Sequence, residues 1–570
     1  MTMSNQANRI NYLKGNDGLQ SFLIALALFA CSYLTIGWWT DAYQHMYDTV
    51  LSGELTNYYL PAAKDPFPEY MPGAAFVFQS LGNLYPVHWV ALSLNSVLFF
   101  SVWILFFQVL RHTKQLVFWS RIIIVAFFAL LFFESVVLYH MVRITMFAGI
   151  AGLSGLIVAD EKHFLSKRVL PYLLLFIFAL WIRCNVHLFV LLFVSAAFLA
   201  HGKSLKPLVP FYIFFTLFFL YYCKVVFWTD YSKDLNFFFL YNLEFKLHHV
   251  GAYNPQLHLA DNLDSLKYQA VKLDILADEV NLGPEFYERV GAFTNLSKVS
   301  TSQFMYAFYG FISAMLENIY FVIADIVLII FYMVFGGVST KNYRIKTIGL
   351  FLFFYAMIFA LCFIKMENRF LVPFQVLFLF TIIILHKPNL FYKKEKLIYL
   401  VLFLIIIVPL SGYFIKKKLD FAKDENAGFK KSFEWLGKHY NTSVMVYNTG
   451  FVTKNRPYET FYQKDNFKDF YFFNYYATQL SPWYRPFIEK VCICDVGKFY
   501  TFYDYLKNRK EEVVLLDYPE REKILSDYLN VVCKSPQHFE KIILPDSVQN
   551  VFNKQGFRGK GLSLYGLKKK

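Results

Sequence analysis

The feature that most constrains this fold is a series of long apolar stretches that recurs over residues 1–416. A helix of about 20 apolar residues crosses the hydrocarbon core of a bilayer. Hydrophobic residues make up 57% of the 570-residue chain and charged residues only 17%. One soluble core cannot bury that much apolar surface. The pattern therefore predicts a polytopic α-helical membrane protein.

We predict about eleven membrane-spanning segments from length and hydropathy. They cover residues 20–38, 87–110, 119–139, 144–160, 169–183, 185–200, 207–228, 317–336, 347–364, 370–386 and 396–416. Only "RCN" joins the fifth and sixth segments. They could be two separate spans or one long broken helix pair, and both interpretations remain open. The first segment lacks a small-residue cleavage site, which favours a retained helix over a signal peptide.

Basic residues of the short loops fall in alternate loops, which predicts that these loops are cytoplasmic. The N-terminus is then cytoplasmic, and an odd number of spans places residues 417–570 outside. We therefore divide the chain into a transmembrane domain, 1–416, with outer loops 39–86 and 229–316, and an outer domain, 417–570. Loop cations also account for the net charge of +15 without a nucleic-acid partner. The clusters are Arg9 and Lys14; Arg111, Lys114 and Arg121; Lys162, Lys167 and Arg168; Lys203 and Lys206; Lys341, Arg344 and Lys346; and Lys387, Lys393, Lys394 and Lys396.

Four cations oppose this bias, because they sit at helix ends on the predicted outer side. They are Arg143, Arg183, Lys365 and Arg369. Each one alone could reach the phosphates of the surrounding lipids. For the four together we expect a shared anionic ligand, since guanidinium groups bind phosphate bidentately.

The first outer loop begins with "WWTDAYQHMYDTVLSGEL" at Trp38. Its apolar spacing predicts a short amphipathic helix on the membrane surface, preceded by Asp41. An N-cap of this helix is the simplest role for that carboxylate. Five prolines follow between Pro61 and Pro86. Irregular backbone at membrane depth is tolerated where it lines a cavity.

These elements resemble the first loop of membrane glycosyltransferases of the GT-C fold. The likeness lies in the acid after the first helix, the amphipathic segment, and the "YMPG" element that begins at Tyr70. The later "KMENRFLVPFQVLFLF" is similar to a family element that enters a late helix. The resemblance covers residues 20–420 and points to polyprenyl-phosphate-sugar-dependent enzymes, such as lipid A aminoarabinose transferases and protein O-mannosyltransferases. Where several relatives have a lysine before the proline, this chain has Met71, and Lys64 is the candidate to supply that charge.

Transfer from a lipid-phosphate sugar needs a carboxylate that takes the acceptor's proton and cations that hold the leaving phosphate. We predict Asp41 as general base, with Glu69 as the rival acid. No cofactor is expected to be required, although Asp41, His45 and His140 could bind a divalent metal. The predicted substrate-binding residues are Lys64, Tyr70, His140, Arg143, Arg183, Lys365 and Arg369.

The pattern of the polar C-terminal part predicts an α/β domain. The segments 443–450, 490–497 and 511–519 predict buried strands, and 501–510 and 521–529 predict helices between them. We expect a scaffold or acceptor-recognition role. In an outer compartment, Cys533 could form a disulfide with Cys492 or Cys494. The outer segment "SLKYQAVKLDILADEV", from Ser265, predicts a helix that could cover the acceptor site.

The predicted function is therefore inverting transfer from a polyprenyl-phosphate sugar to a hydroxyl of a glycan, lipid or protein, such as lipopolysaccharide O-antigen. The composition suggests a bacterial inner membrane with a periplasmic C-terminal domain. An O-antigen polymerase or ligase and a transporter or flippase are the alternatives. The acid after the first helix disfavours the former, and the lack of a sequence repeat disfavours the latter. Glu134, Glu317 and Asp325 lie in or beside apolar runs, where acids are either functional or paired with a cation.

Overall fold

The computed structural model divides the chain into two compact units. The first comprises Met1–Trp38, Ala91–Tyr222 and Ala307–Asp420, and the second comprises Trp39–Val90, Cys223–Tyr306 and Phe421–Lys570. The structure describes residues 17–32, 34, 71–84, 89–113, 118–137, 141–158, 169–228, 262–272, 301–335, 341–363, 368–385, 405, 407–417, 420, 435, 439, 444–447, 472–474, 513–517, 519–531, 537–555 and 563–569.

Most of the described residues are helical. The helices are α1 (Asp17–Ser32), α2 (Ala74–Leu84), α3 (Trp89–His112), α4 (Phe118–Val137), α5 (Met141–Val158), α6 (Leu170–Ile182), α7 (His187–Ala200), α8 (Val209–Trp228), α9 (Asn262–Lys272), α10 (Thr301–Glu317), α11 (Ile319–Phe335), α12 (Lys341–Cys362), α13 (Asn368–Leu385), α14 (Pro519–Val531) and α15 (Asp546–Gln555). A further helical segment covers residues 407–417. The prediction of a predominantly helical fold with a small C-terminal sheet is confirmed.

Three described helices are long and apolar enough to cross a membrane, and they contain Leu92–His112, Lys206–Val225 and Ile345–Cys362. A fourth candidate is the bent pair Ala307–Glu317 and Ile319–Ile326. Shorter apolar helices occupy Asp17–Ser32, Ile124–Val136, Met141–Gly155, Leu170–Ile182, His187–Ala200 and Phe370–Thr381. These helices coincide with predicted spans, while the number of eleven stays a prediction.

Helices α5 and α6 approach closely because α5 presents glycines at every third position. A Cβ on Gly152 would lie 2.8 Å from the carbonyl oxygen of Tyr172 and 3.0 Å from the backbone nitrogen of Phe176. Gly149 and Gly155 likewise face side chains of His187 and Tyr172. Small residues of this kind let two helix backbones approach closely.

Helices α6 and α7 form a hairpin within residues 169–200. Residues 183–186 form the turn, in which the His187 N–H donates to the Cys184 carbonyl at 3.1 Å. The Ser195 and Tyr212 hydroxyls of α7 and α8 lie 2.7 Å apart. The segment therefore forms two short apolar helices, Leu170–Ile182 and His187–Ala200, joined by this turn.

One end of the first unit gathers several helix termini, and we call it the Arg143 end. Thr145 in the first turns of α5 donates to the Ala179 carbonyl near the end of α6, at 2.6 Å. Its hydroxyl also lies 3.1 Å from His187 Nε2, at the start of α7. Glu134 near the end of α4 contacts Arg143 at the start of α5.

The opposite end, which we call the Asp17 end, carries basic loop residues that the charge pattern assigns to the cytoplasm. Asp17 at the start of α1 pairs with Arg121 at the start of α4, at 3.2 Å. Burial lowers the pKa of the His201 imidazole after α7, and the ammonium groups of Lys203 and Lys346 lower it further. Each of these two contacts joins loops that the charge pattern assigns to the same side.

A bend of 85° separates α10 from α11. The Asn318 side chain at the bend donates to the Ala314 carbonyl at 3.0 Å. The sequence analysis placed residues 301–316 in the outer loop 229–316. The structure instead shows a helix with many apolar residues at these positions, directly joined to the predicted span.

The second unit contains a mixed sheet whose described strands are β1 (Val444–Tyr447), β2 (Phe472–Asn474), β3 (Val513–Asp517), β4 (Gln537–Ile542) and β5 (Ser563–Lys569). Their order is β2-β1-β3-β5-β4. Strand β1 pairs parallel with β2 and β3, and β5 pairs antiparallel with β3 and β4.

Two of the predicted strands, at 443–450 and 511–519, are confirmed, as is the helix predicted at 521–529. The strand predicted at 490–497 and the helix predicted at 501–510 lie outside the described residues. Helix α9 confirms the first part of the helix predicted from Ser265, and it packs against α14 within this unit. Buried Tyr268 and Tyr528 come from these two helices.

Candidate functional site

Three buried polar side chains meet at the Arg143 end, and we call them the Glu134 cluster: Glu134, Arg143 and Tyr320. Arg143 Nη2 lies 3.8 Å from Glu134 Oε1. The Tyr320 hydroxyl donates a hydrogen bond to Glu134 Oε2. The cluster forms because the last turn of α4 and the first turns of α5 and α11 come together there. Glu134 thus takes the paired role that the sequence analysis left open.

Arg143 keeps hydrogen-bonding capacity beyond this ion pair. It is 4% exposed, so it does not extend to the phosphates of surrounding lipids, and that interpretation was wrong for this residue. Among the described residues, its Nη1 has no hydrogen-bond partner. A guanidinium carries five N–H donors, and buried donors normally find acceptors. The Nη1 group therefore has N–H donors available for an oxygen acceptor.

Aromatic rings surround the cluster on the side of α11. The Tyr320 ring lies 4.5 Å from the Phe321 ring and stacks on the Phe414 ring at 5.7 Å. Phe414 belongs to the helical segment 407–417, so this segment also passes the Glu134 cluster. Such packing excludes water from the ion pair and strengthens its electrostatic interactions.

Two more of the predicted cations lie at the same end. Arg183 directly follows α6, and its N–H donates to the Ala179 carbonyl at 3.0 Å. Arg369 lies in the first turn of α13, and its side chain is outside the described residues. Two pairs of aromatic rings contact each other between α7 and α13. Phe189 contacts Phe374, and Phe193 contacts Phe378.

The two ring pairs show that α7 and α13 run in the same direction, because each advances by four residues. Both helices therefore begin at the Arg143 end. Three of the four cations that oppose the charge bias, Arg143, Arg183 and Arg369, thus have their backbones at one end of the unit. The remaining predicted site residues, Asp41, His45, Lys64, Glu69, Tyr70, His140 and Lys365, lie outside the described residues, as does the predicted surface helix.

The "YMPG" element is described from Met71 onward and forms a tight turn into α2. Met71 has a positive φ of 47° and Gly73 a φ of 77°. The Ala74 N–H donates to the Met71 carbonyl at 2.9 Å. A left-handed backbone costs an L-residue about 1–2 kcal/mol. Such strain clusters at functional sites, which makes this turn a candidate functional element of the second unit.

The other two suspected acids differ from Glu134. Asp325 is buried and accepts a hydrogen bond from the Tyr355 hydroxyl at 2.8 Å, and the Gln375 amide lies beside that hydroxyl. Glu317 is exposed and accepts from the Ser313 hydroxyl at 3.3 Å. Among the three suspected acids, Glu134 alone pairs with a cation among the described residues.

Within the described part of the chain, no group of three or more His, Cys, Asp or Glu side chains is placed to hold a metal ion. The suggested metal ligands Asp41, His45 and His140 lie outside that part. Cys492, Cys494 and Cys533, the suggested disulfide partners, also lie outside it. Free thiols are described at Cys31, Cys184, Cys223 and Cys362.

Comparison of the sequence with protein-family models, with curated proteins and with solved structures finds no match in any of the three.

Sequence reasoning did not find Tyr320. It is separated from Glu134 by 186 positions, and nothing in the local pattern of α11 distinguishes it from a packing tyrosine. One weak signal was present, namely an acid and an arginine nine positions apart on either side of a predicted helix turn. Their contact follows from the antiparallel arrangement of α4 and α5.

Proposed function

We propose that this protein is an inverting membrane glycosyltransferase. It moves a sugar from a polyprenyl-phosphate donor to a hydroxyl of an acceptor on the outer side of a bacterial inner membrane. The acceptor is a glycan, lipid or protein. The proposal combines the family resemblance of the first loop with the arrangement of cations at the Arg143 end.

One observation carries the proposal most directly. Arg143 is buried beside a single carboxylate and retains a hydrogen-bond donor without a partner among the described residues. Arg183 and the backbone of Arg369 lie at the same end of the unit. A departing phosphate needs cations that are already in position, and fixed cations of this kind stabilise its developing charge. The cluster therefore supports a phosphate-bearing donor.

Glu134 and Tyr320 support this role by holding the guanidinium. One carboxylate oxygen of Glu134 contacts Nη2 of Arg143, and the other accepts a hydrogen bond from the Tyr320 hydroxyl. The guanidinium is thereby fixed on one side. In a site shielded by aromatic rings, a fixed cation needs little reorganisation when an anion arrives.

The transfer itself is a single displacement. The acceptor oxygen attacks the anomeric carbon, the bond between that carbon and the phosphate oxygen breaks, and the acceptor proton passes to the Asp41 carboxylate. The polyprenyl phosphate leaves with the bonding electron pair, and the anomeric configuration inverts. Glu69, next to the strained turn at Met71, is the rival base.

The division of the chain supports the proposed topology. The charge pattern places 39–86, 229–316 and 417–570 on the outer side. The second unit combines Trp39–Val90, Cys223–Tyr306 and Phe421–Lys570. Segments that are far apart in sequence can form one compact unit only if they share a compartment. This grouping favours a common outer side for all three.

Turnover of a polyprenyl-phosphate sugar by the reconstituted full-length protein tests the proposal. Asp41→Asn keeps any capping ability, because Asn and Asp cap helices about equally well. It removes the ability to accept a proton, so we expect transfer to slow by about a hundredfold to ten-thousandfold. Asp48→Asn, a change of the same kind in the same segment, should retain activity.

Near-normal turnover by the Asp41→Asn variant would shift the assignment to Glu69. A complete absence of transfer and of donor hydrolysis in the wild-type protein, with extracted cell-envelope lipids and glycans as acceptors, would contradict the proposed function.

A further inference from the structure

Helix α10 has three distinct faces. Six large side chains along it are between 38% and 65% exposed: Phe304, Met305, Phe308, Tyr309, Ile312 and Leu316. At 3.6 residues per turn, these positions fall within roughly 140° of the helix circumference. Ala307 and Ala314, by contrast, are buried on the face that packs on the protein, and Met315, at the edge of the stripe nearest that face, is also buried.

The third face is polar. Ser313 and Glu317 are exposed and joined by a hydrogen bond of 3.3 Å. They lie on the side of the apolar stripe away from Ala307, because each residue advances roughly 100° around the helix. Helix α10 thus has one side against protein, one apolar exposed side and one polar exposed side. This pattern is typical of an amphipathic helix at an interface between hydrocarbon and water.

The bend at Asn318 determines how this helix lies. Helix α11 is a continuous apolar segment, Ile319–Phe335, and α10 meets it at 85°. If α11 runs along the membrane normal, α10 lies close to the membrane plane. Tyr320 in the first turn of α11 contacts Glu134, so the C-terminal end of α10 lies at the Arg143 end.

We propose that α10 is a membrane-surface helix whose apolar stripe is inserted into the hydrocarbon of the lipid leaflet at the Arg143 end. This inference rests on the membrane placement of the helical unit under the proposed function. The acyl chains of that leaflet cover the apolar stripe. Its insertion depends on apolar area and not on charge, because Glu317 is the only charged residue of α10.

The test uses the full-length protein in vesicles with one environment-sensitive fluorophore on α10. Tyr309→Cys places the label on the apolar stripe, and Ser313→Cys places it on the polar face of the same helix. The unsubstituted protein, labelled in the same way, gives the background from native thiols such as Cys31. Nitroxide groups on the lipid acyl chains then report contact with hydrocarbon.

We expect the label at position 309 to emit at shorter wavelength and to be quenched by the lipid nitroxides, while the label at 313 reports water. The difference should be the same in zwitterionic and anionic vesicles and in high salt. A label at 309 that reports water would overturn the proposal. So would a shielded label that lipid nitroxides do not quench, since a second copy or another protein would then cover the stripe. Neither readout needs donor or acceptor, so failure of sugar transfer in the same preparation would count against the proposed function alone.

Discussion

The informative residues of this protein are polar side chains buried in apolar helices. The sequence shows Glu134 and Asp325 as unusual, because each interrupts an apolar run. It does not show which one is paired with a cation, since that depends on the helices that surround it. Glu134 meets Arg143 across the turn between α4 and α5, whereas Asp325 meets the hydroxyl of Tyr355.

The Glu134 cluster predicts a large difference between two acids at the same end of the unit. Removing the carboxylate in Glu134→Ala leaves the Arg143 charge buried without its partner, which costs about 3–5 kcal/mol of unfolding free energy. Glu317 is exposed, so Glu317→Ala should change it by about 0.5 kcal/mol or less. Thermal or denaturant unfolding of the purified variants measures both. Equal stability of the two variants would show that the ion pair does not form.

At the scale of elements, apolar length located most helices of the first unit, and charge located their loops. The sequence did not predict helix α10, because Ser302, Gln303 and Ser313 interrupt its apolar pattern. Its polar face suggests a loop. Strands β4 and β5 were not predicted, because short strands such as Gln537–Ile542 show no clean alternation of polar and apolar residues. The close contact of α5 with α6 could have been suspected from the glycine spacing, but its partner could not.

This contact predicts that Gly152→Ala destabilises the helical unit. The new methyl group would meet backbone atoms of Tyr172 and Phe176, which cannot move aside as a flexible side chain can. Overpacking of this kind costs about 1–3 kcal/mol. Gly349→Ala in α12 is the matched control, because a Cβ there meets nothing within 4 Å. It should be neutral or stabilising by up to about 1 kcal/mol. Unchanged thermal stability of the Gly152 variant would mean that α5 and α6 lie farther apart.

At the scale of the whole molecule, the charge pattern and the division into units point to the same arrangement. Asp17 and Arg121 lie at one end of the helical unit, and Arg143 and Arg183 lie at the other. Sequence alone predicts this polarity, because it depends on which loops carry cations. The composition of the second unit, with segments drawn from three parts of the chain, could not be predicted from local patterns.

The arrangement predicts opposite sides for two reporter positions. Alkaline phosphatase fused after Lys570 should be active, because the C-terminal domain is expected outside. The same enzyme inserted after Gly202, between α7 and α8, should be inactive, because this loop lies at the Asp17 end. Activity measurements on whole cells, normalised to fusion abundance, distinguish the two. Activity at position 202 would reverse the topology and place the Arg143 end in the cytoplasm.

The most direct test of the central claim is the affinity of the purified protein for a polyprenyl phosphate, measured for the wild type and two arginine variants. Arg143→Ala removes a charge-assisted contact worth about 1.5–3 kcal/mol, which corresponds to a tenfold to hundredfold loss of affinity. Arg121→Ala removes an arginine that is also paired with an acid, but at the Asp17 end, 3.2 Å from Asp17. We predict that this control binds like the wild type. Unchanged binding by a folded Arg143→Ala variant, or an equal loss in both variants, would contradict a donor site at the Arg143 end.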